Sequence, residues 1–403
     1  MVIAGGGLAG AQTAARLRER GFAGRVTLVG AEPHPPYDRP PLSKDVLLGK
    51  GGPEPPALDV DFAALDVRLL LGTAATGLRV ADRVLETDAG PLPYDHLVLA
   101  TGAEAATLPG TAGLPGVHVL RTLDDARRLR PVLEARGSLV AVGAGWIGAE
   151  AATAARAAGC EVTVVEAAGG PLAGVLPAEV AEPMRAWYAG AGAVLRTGEA
   201  VTAVRAGEVE LAGGAVLGAD AVLVGVGSRP ATGWLAGRGV ELAADGSVRA
   251  DARLRASAPG VYAAGDCASF PSARYGRRLL VHHWDNALSG PDTVAAGITG
   301  GITGAEDAPP YDPVPYFWSE QFGRYVQYAG YHAPGDALLW RGDPAAGEGW
   351  SVCWLGAGGA LRAVLAVDRP RDLTQGRRLI KRGAALDAGR AADPAVPLKA
   401  AAR

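Results

Sequence analysis

The chain has 403 residues, 49 % of them hydrophobic and 20 % charged, with a formal net charge of −3 at pH 7. That length predicts two or three domains, and the apolar fraction is enough to build their cores, so a disordered chain is excluded. The near-neutral charge gives no footprint for nucleic acid, and no apolar run is long enough to span a membrane.

The first apolar run, "MVIA", is short and leads straight into glycine, as a strand trimmed at its start would. From Val2 to Glu32 the pattern is an apolar run, a G-x-G-x-x-G turn at Gly5, Gly7 and Gly10, an Ala-rich helical stretch closed by Gly21, and a second β-branched run. The same pattern returns from Val140 to Ala168, with Gly143, Gly145 and Gly148 in the turn and Gly159 at the end of the helix. In this arrangement the first glycine makes the tight strand-to-helix turn. The second lets the backbone approach a pyrophosphate, and the third lets helix pack on strand. The phosphates sit at the positive end of the helix. One such motif is weak in a chain with 58 glycines, whereas two in the same strand–helix–strand frame predict two bound dinucleotides. Leu8 in the first turn, and Trp146 and Ile147 in the second, are candidates for the cofactor-binding set with the glycines.

Between the two units, "HPPYDRPPLSKD" runs from His34 to Asp45. Its prolines fix φ and restrict the residues before them, so it reads as a stiff, extended connector. It releases into a helical segment, with Ser43 a candidate N-cap, and presents Lys44. "YDHLVLATGA", Tyr94 to Ala103, is a buried strand followed by a turn through Ala100, Thr101 and Gly102. The second strand of the second unit ends in "VTVVE". Its Glu166 lies 18 residues beyond Gly148, where a carboxylate accepts from ribose hydroxyls and repels a 2′-phosphate. NADH is therefore expected over NADPH; the alternative for Glu166 is a solvated strand end. "GVYAAGDCA" is a short strand ending at Gly265–Asp266, where the aspartate is either an acceptor for a sugar-like polyol or an N-cap.

The three cysteines, Cys160, Cys267 and Cys353, form no CxxC, and the six histidines show no ligand spacing. An iron–sulfur cluster, a zinc site and a redox dithiol are not expected, and a reducing, cytoplasmic compartment is. "GAEDAPPYDPVPYF" is a Pro-rich boundary. Beyond it "RYVQYAG", "DALLWRG" and "GWSVCWLGAGGALRAVLAVD" read as strands, the last as a hairpin around its glycines. "RPRDLTQGRRLIKRG" reads as a basic helix. The Ala-rich tail from Ala384 has little periodicity and is expected to be disordered.

Taken together, "GGGLAGA", "PYDRPPLSK", "LVLATGA", "LRTLDDA", "VGAGWIGAE", "GVGSRP", "VYAAGDCA", "HWDNA" and "VPYFWSEQFG" resemble the pyridine-nucleotide–disulfide oxidoreductase superfamily. Within it they resemble the FAD-dependent NADH:ferredoxin reductases, the branch of putidaredoxin reductase, rhodocoxin reductase and the reductase components of aromatic-ring dioxygenases. The resemblance spans nearly the whole chain. It implies an α/β fold of two Rossmann-like dinucleotide-binding domains in the glutathione reductase-like arrangement, with the NAD domain (106–227) inserted in the FAD domain (1–105 and 228–308). A C-terminal α+β domain (309–403) follows.

The resemblance also assigns roles. Asp266, beside Gly265, would bind the FAD ribityl chain and Glu32 the adenosine ribose. Many relatives carry the acidic residue one position earlier, where this chain has Ala31, so both positions are candidates. Lys44 would stand at the flavin edge and stabilise the negative charge of the reduced ring. Glu150 would pair with Lys44 and keep it protonated. Ala9, Arg39, Ala75, Ala100, Thr101, Gly102, Arg121 and Trp284 would also touch FAD, and Gly227 would join the NAD site. Trp318 would lie beside the flavin on the side where a protein partner docks. "LSGPD" departs from the family pattern, and Pro291 is expected to kink or restart the helix after "HWDNA".

Three functions compete. The first is an NADH:ferredoxin reductase, a monomer or weak dimer. It would pass electrons to an acidic iron–sulfur ferredoxin, [2Fe–2S] or similar, that serves a cytochrome P450 or an aromatic-ring oxygenase. Basic clusters at Arg274, Arg277 and Arg278 and at Arg369, Arg371, Arg377, Arg378, Lys381 and Arg382 would receive that partner. The second is another flavin oxidoreductase of the same fold, such as an NAD(P)H oxidase or a disulfide or peroxide reductase. The thiol-dependent members need a flavin-facing cysteine, and "PLSKD" has none. The third is a protein resembling apoptosis-inducing factor, against which the absence of a basic DNA-binding surface counts.

Overall fold

The computed structural model describes residues 1–50, 56–303 and 309–403. The start of the predicted Pro-rich boundary, at Gly304, and the end of the segment 228–308 lie outside the described residues. The chain forms two compact units. One comprises Met1–Asp38, Pro56–Glu104 and Ser228–Pro315; the other comprises Arg39–Pro55, Ala105–Gly227 and Tyr316–Arg403.

In the first unit a parallel sheet has the strand order Val261–Ala263, Leu97–Leu99, Val2–Ala4, Val26–Gly30, Val67–Leu71. Both flanking runs of the first glycine motif are thus neighbouring strands, and they are buried on both faces, which is why they read as continuous apolar stretches. The helix Leu8–Glu19 crosses between them, burying Ala9, Ala11, Ala14 and Leu17. It packs against Trp284–Thr303, a helix that continues through Pro291. The expected restart is not seen. A proline removes only one helical N–H; Ser289 Oγ donates to the Asp285 carbonyl on the preceding turn at 2.7 Å, and packing on the glycine-loop helix holds the rest.

The second unit repeats the arrangement. Its parallel sheet runs Val194–Thr197, Glu161–Glu166, Ser138–Val142, Ala221–Val224, Val117–His118. The helix Trp146–Ala158 follows its first strand and ends at Gly159, in the left-handed conformation. The same unit holds an antiparallel sheet ordered Tyr316–Gln321, Arg324–Gly330, Leu361–Val367, Trp350–Leu355, Ala337–Arg341. The last two long strands form the predicted hairpin around residues 356–360. The predicted basic helix is Pro370–Arg382, capped by Gly383.

The tail is not disordered. Leu386, Ala391, Leu398 and Ala401 are buried, Leu386 bridges to Ala402, and a short helix spans Ala388–Ala392. These anchors have no common period, so the sequence pattern conceals them. Their main fastening is polar. Arg341, whose side chain is fully buried, grips Asp372 with Nε at 3.1 Å and Nη2 at 3.3 Å. It also donates to the carbonyls of Val396 (2.9 Å), Asp393 (3.2 Å) and Ala391. Among the described residues no helix is long and apolar enough to cross a membrane, and no cluster of side chains is arranged to hold a metal.

Candidate functional site

The two glycine turns have the same construction. Gly5 has φ +131°, and an added Cβ would lie 2.0 Å from the Ala100 carbonyl oxygen, at the end of the adjacent strand. Gly143 has φ +102°, and its Cβ would lie 2.5 Å from the Gly225 carbonyl oxygen, again at the end of the adjacent strand. The third glycine of each turn packs on the first: a Cβ on Gly10 would stand 2.0 Å from Gly5 O, and one on Gly148 2.0 Å from Gly143 O. The middle glycines face open space. Nothing lies within 4 Å of a Cβ built on Gly7, and only Gly225 O, at 4.0 Å, meets one on Gly145.

Those middle glycines are also the helix N-caps. Neither supplies a side-chain acceptor, and neither helix carries an acidic residue in its first turn. The leading N–H groups of each helix are therefore left for an anion from outside the helix. Both turns sit where the strand order reverses, at the carboxyl ends of the parallel strands, where open α/β sheets bind ligands. This construction fits a dinucleotide pyrophosphate in each unit. Gly225 was missed from sequence; it follows "VLV" as Ala100 follows "LVL", and superposing the two units would have found it.

Around the first turn, Ala100, Thr101 and Gly102 follow the central strand Leu97–Leu99. Gly265 and Asp266 form a short 3₁₀ turn after Val261–Ala263, with Gly265 close against Ala9. Asp266 is thus part of a turn at the sheet's carboxyl edge. Glu32 accepts from the Tyr37 hydroxyl at 2.5 Å, while Ala31 is a small exposed side chain beside it. Ala75 begins a strand packed on the unit's core. Trp284 opens its helix and donates Nε1–H to Asp38 at 2.7 Å.

Around the second turn, Glu166 ends its strand and accepts from the backbone N–H of Ala144 and of Ala168, each at 2.9 Å. Its carboxylate is thereby fastened to the glycine turn itself. Ile147 is exposed above the helix start, whereas the half-buried Trp146 ring packs edge-on against Phe317 at 4.5 Å, at the margin of the core. Gly227, with φ +113°, accepts from Ala106 N–H at 2.9 Å.

The same unit holds the Pro-rich segment from Arg39 onward. Pro40–Ser43 is a 3₁₀ turn with proline at its first positions, the helical release expected after the connector, whose Tyr37 forms a β-bridge with Ala57. Proline suits the first turn of a helix because the N–H it lacks would be unpaired there anyway. Ser43 is the last residue of that turn, not an N-cap, and Lys44 follows it. Lys44 Nζ lies 2.8 Å from Glu150 Oε2 and 3.3 Å from the Pro40 carbonyl. Ser43 Oγ donates to the same Glu150 oxygen. Arg39 Nη1 donates to the Arg121 carbonyl at 2.8 Å, and Asp125 holds the Arg121 N–H at 3.0 Å. Lys44, Glu150, Arg39 and Arg121 are thus brought together in pairs across more than eighty positions of sequence.

Trp318 lies on the strand Tyr316–Gln321 and is half-buried, stacked with Tyr316 at 6.0 Å. The Arg377 guanidinium sits 5.0 Å from the centre of the Tyr316 ring. The basic clusters are less free than their sequence suggests. Arg278 donates to the carbonyls of Ala250 and Ser269. Arg369 pairs with Asp372 at 2.9 Å. Arg371, Arg378, Lys381 and Arg382 remain exposed on one helix.

All three cysteines are buried and unpaired in disulfides. Burial pushes the Cys160 thiol up, the Cys267 thiol to about 11 and the Cys353 thiol to about 12. They are protonated, inert thiols at neutral pH.

Residues 1–290 match the family described as pyridine nucleotide-disulphide oxidoreductase, and residues 316–402 match the reductase C-terminal domain. The chain belongs to the pyridine nucleotide-disulphide oxidoreductases. It is 38 % identical to the anthranilate 1,2-dioxygenase system ferredoxin–NAD(+) reductase component of Burkholderia cepacia, over 99 % of this chain and 98 % of that protein. It is 37 % identical to rhodocoxin reductase of Rhodococcus erythropolis, over 100 % of this chain and 94 % of that protein. The solved structure of the covalent putidaredoxin reductase–putidaredoxin complex superposes with a TM-score of 0.91 at 32 % identity, covering 99 % of this chain and 96 % of that one.

Proposed function

We propose that this chain is an NADH-dependent, FAD-containing ferredoxin reductase whose electrons pass to a small iron–sulfur protein serving a cytochrome P450 or an aromatic-ring oxygenase. The observation that carries the reading is the pair of matching dinucleotide cradles in a chain whose only thiols are buried and protonated. With no accessible thiol to act as a relay, this reading takes a one-electron protein acceptor as the outlet. Bound FAD supplies the chemistry, accepting a hydride from NADH and releasing electrons one at a time.

The chain's own residues bind and orient. Gly5, Gly7 and Gly10 admit the FAD pyrophosphate; Asp266 accepts from the ribityl hydroxyls and Glu32 from the adenosine ribose. Gly143, Gly145 and Gly148 admit the NADH pyrophosphate. Lys44, held by Glu150, supplies the fixed cation for the charge that reduction adds. Trp318 serves the exit side. The buried free cysteines suit a cytoplasmic location. The segments 1–105 and 228–308, 106–227, and 309–403 are the FAD, NAD and C-terminal domains of this reading.

The test is reduction of an acidic [2Fe–2S] ferredoxin by NADH. Its rate should fall clearly from low salt to about 1 M, as the screening length shrinks from about 10 Å at 0.1 M to about 3 Å. Ferricyanide reduction, which needs no docking, should change less. Trp318→Ala should slow ferredoxin reduction more than flavin reduction by NADH in stopped flow. A wild-type protein that reduces disulfides or peroxide faster than any ferredoxin would sink the proposal.

Cofactor choice tests the second cradle. NADH should be preferred over NADPH, because the Glu166 carboxylate would lie against a 2′-phosphate. Glu166→Gln removes the charge but keeps an acceptor for a backbone N–H, and should narrow the kcat/KM ratio about tenfold. A wild-type enzyme that uses both nucleotides equally contradicts this assignment.

A further inference from the structure

Glu150 is only 6 % exposed, and an ionised carboxylate at such a site needs donors for both oxygens. Two segments provide them. Lys44 and Ser43, from the Pro-rich turn, take Oε2. Ser319, from the strand Tyr316–Gln321, donates its hydroxyl to Oε1 at 2.7 Å. Ser319 is itself fully buried, and its oxygen accepts from Gln321 Nε2 at 3.1 Å. A hydroxyl has one proton. With Gln321 occupying an acceptor position on Ser319, that proton is directed to Glu150. The result is a relay in one sense, Gln321 to Ser319 to Glu150, ending on the carboxylate that holds Lys44.

We propose that Ser319 is a positioning residue for the Lys44–Glu150 pair: oriented by Gln321, it holds one carboxylate oxygen so that the other faces Lys44. The proposal rests on the reading that Lys44 serves the flavin. The ammonium has three N–H donors. Glu150 takes one and the Pro40 carbonyl another; among the described residues no acceptor meets the third. Where that third N–H points depends on where Glu150 is held. Alternation along the strand gives the device a second consequence. Ser319 and Gln321 lie on the buried face and Trp318 on the opposite one, so the strand that presents Trp318 also fastens the carboxylate that positions Lys44.

Ser319→Ala leaves both charges in place, so a change in the flavin's midpoint potential reports position and not lost charge. In the holoenzyme, Ser319→Ala should shift the equilibrium of flavin reduction about tenfold toward the oxidised form, about 30 mV for a two-electron couple. Ser319→Thr should restore it. Gln321→Leu keeps the hydroxyl but lets it rotate, and should shift the equilibrium in the same direction by roughly threefold; it carries the test if Ser319→Ala does not fold. Lys44→Met is the reference. If Lys44→Met lowers the potential and Ser319→Ala does not, or if Ser319→Thr is displaced as far as Ser319→Ala, Ser319 is packing and the proposal is overturned. If Lys44→Met leaves the potential unchanged, the assignment of Lys44 to the flavin fails, and the role of Ser319 falls with it.

Discussion

Replacing Arg341 by methionine is expected to destabilise the second unit by about 3 kcal/mol and to free its C-terminal tail. Removing one partner of a buried ion pair leaves the other without compensation, at about 3–5 kcal/mol. The lower end applies here because Asp372 keeps Arg369 at 2.9 Å and Ser351 Oγ at 2.8 Å. The tail loses more. The carbonyls of Ala391, Asp393 and Val396 all accept from this one guanidinium. Proteolysis should therefore clip the variant within the tail, and its thermal midpoint should fall. Asp372→Leu combined with Arg341→Met should recover part of the loss, since two apolar groups leave no charge buried. A single variant within about 1 kcal/mol of the wild type would show that the pair contributes little, as exposed pairs do.

The two cradles can be separated by one methyl group each. Gly10→Ala should abolish stable flavin binding, because the new Cβ would stand 2.0 Å from the Gly5 carbonyl oxygen and force the turn away from its helix. Gly148→Ala makes the same clash with Gly143 and should leave the protein yellow. Its loss should appear instead in flavin reduction by NADH, at about a hundredfold, the scale that follows from misplacing a bound reactant by roughly 1 Å. Gly7→Ala is the control. Its Cβ meets no protein atom, so the fold should keep its thermal midpoint while flavin affinity falls. Flavin content and absorbance at the flavin band check the first and third variants, and stopped-flow reduction the second. Loss of FAD from Gly148→Ala, with binding retained in Gly10→Ala, would reverse the assignment of the two cofactors.

Much of this site is local and was legible as such. A glycine turn is read from spacing because its requirements are backbone requirements: a positive φ at Gly5 and Gly143, and no Cβ at Gly10 and Gly148. The strand Arg324–Gly330 and the helix Pro370–Arg382 were equally legible, because strand-forming composition and a terminal glycine are properties of a single segment. The pairing of Lys44 with Glu150 was available only through resemblance; nothing in either segment points to the other.

The sequence by itself determined that the chain repeats one dinucleotide-binding pattern, that its second copy ends on a carboxylate, and that no thiol pair is available for redox chemistry. Each of these depends on residue type at short separation, where covalent geometry does the ordering. Only the tertiary structure decided that Ser43 and Ser319 converge on Glu150, that Gly225 closes the second turn, and that Arg341 fastens an apparently featureless tail. Those contacts join residues tens to hundreds of positions apart, and burial is what gives them their energy. A hydroxyl or a guanidinium acquires its meaning only when water has been removed from around it, and no local pattern records where that happens.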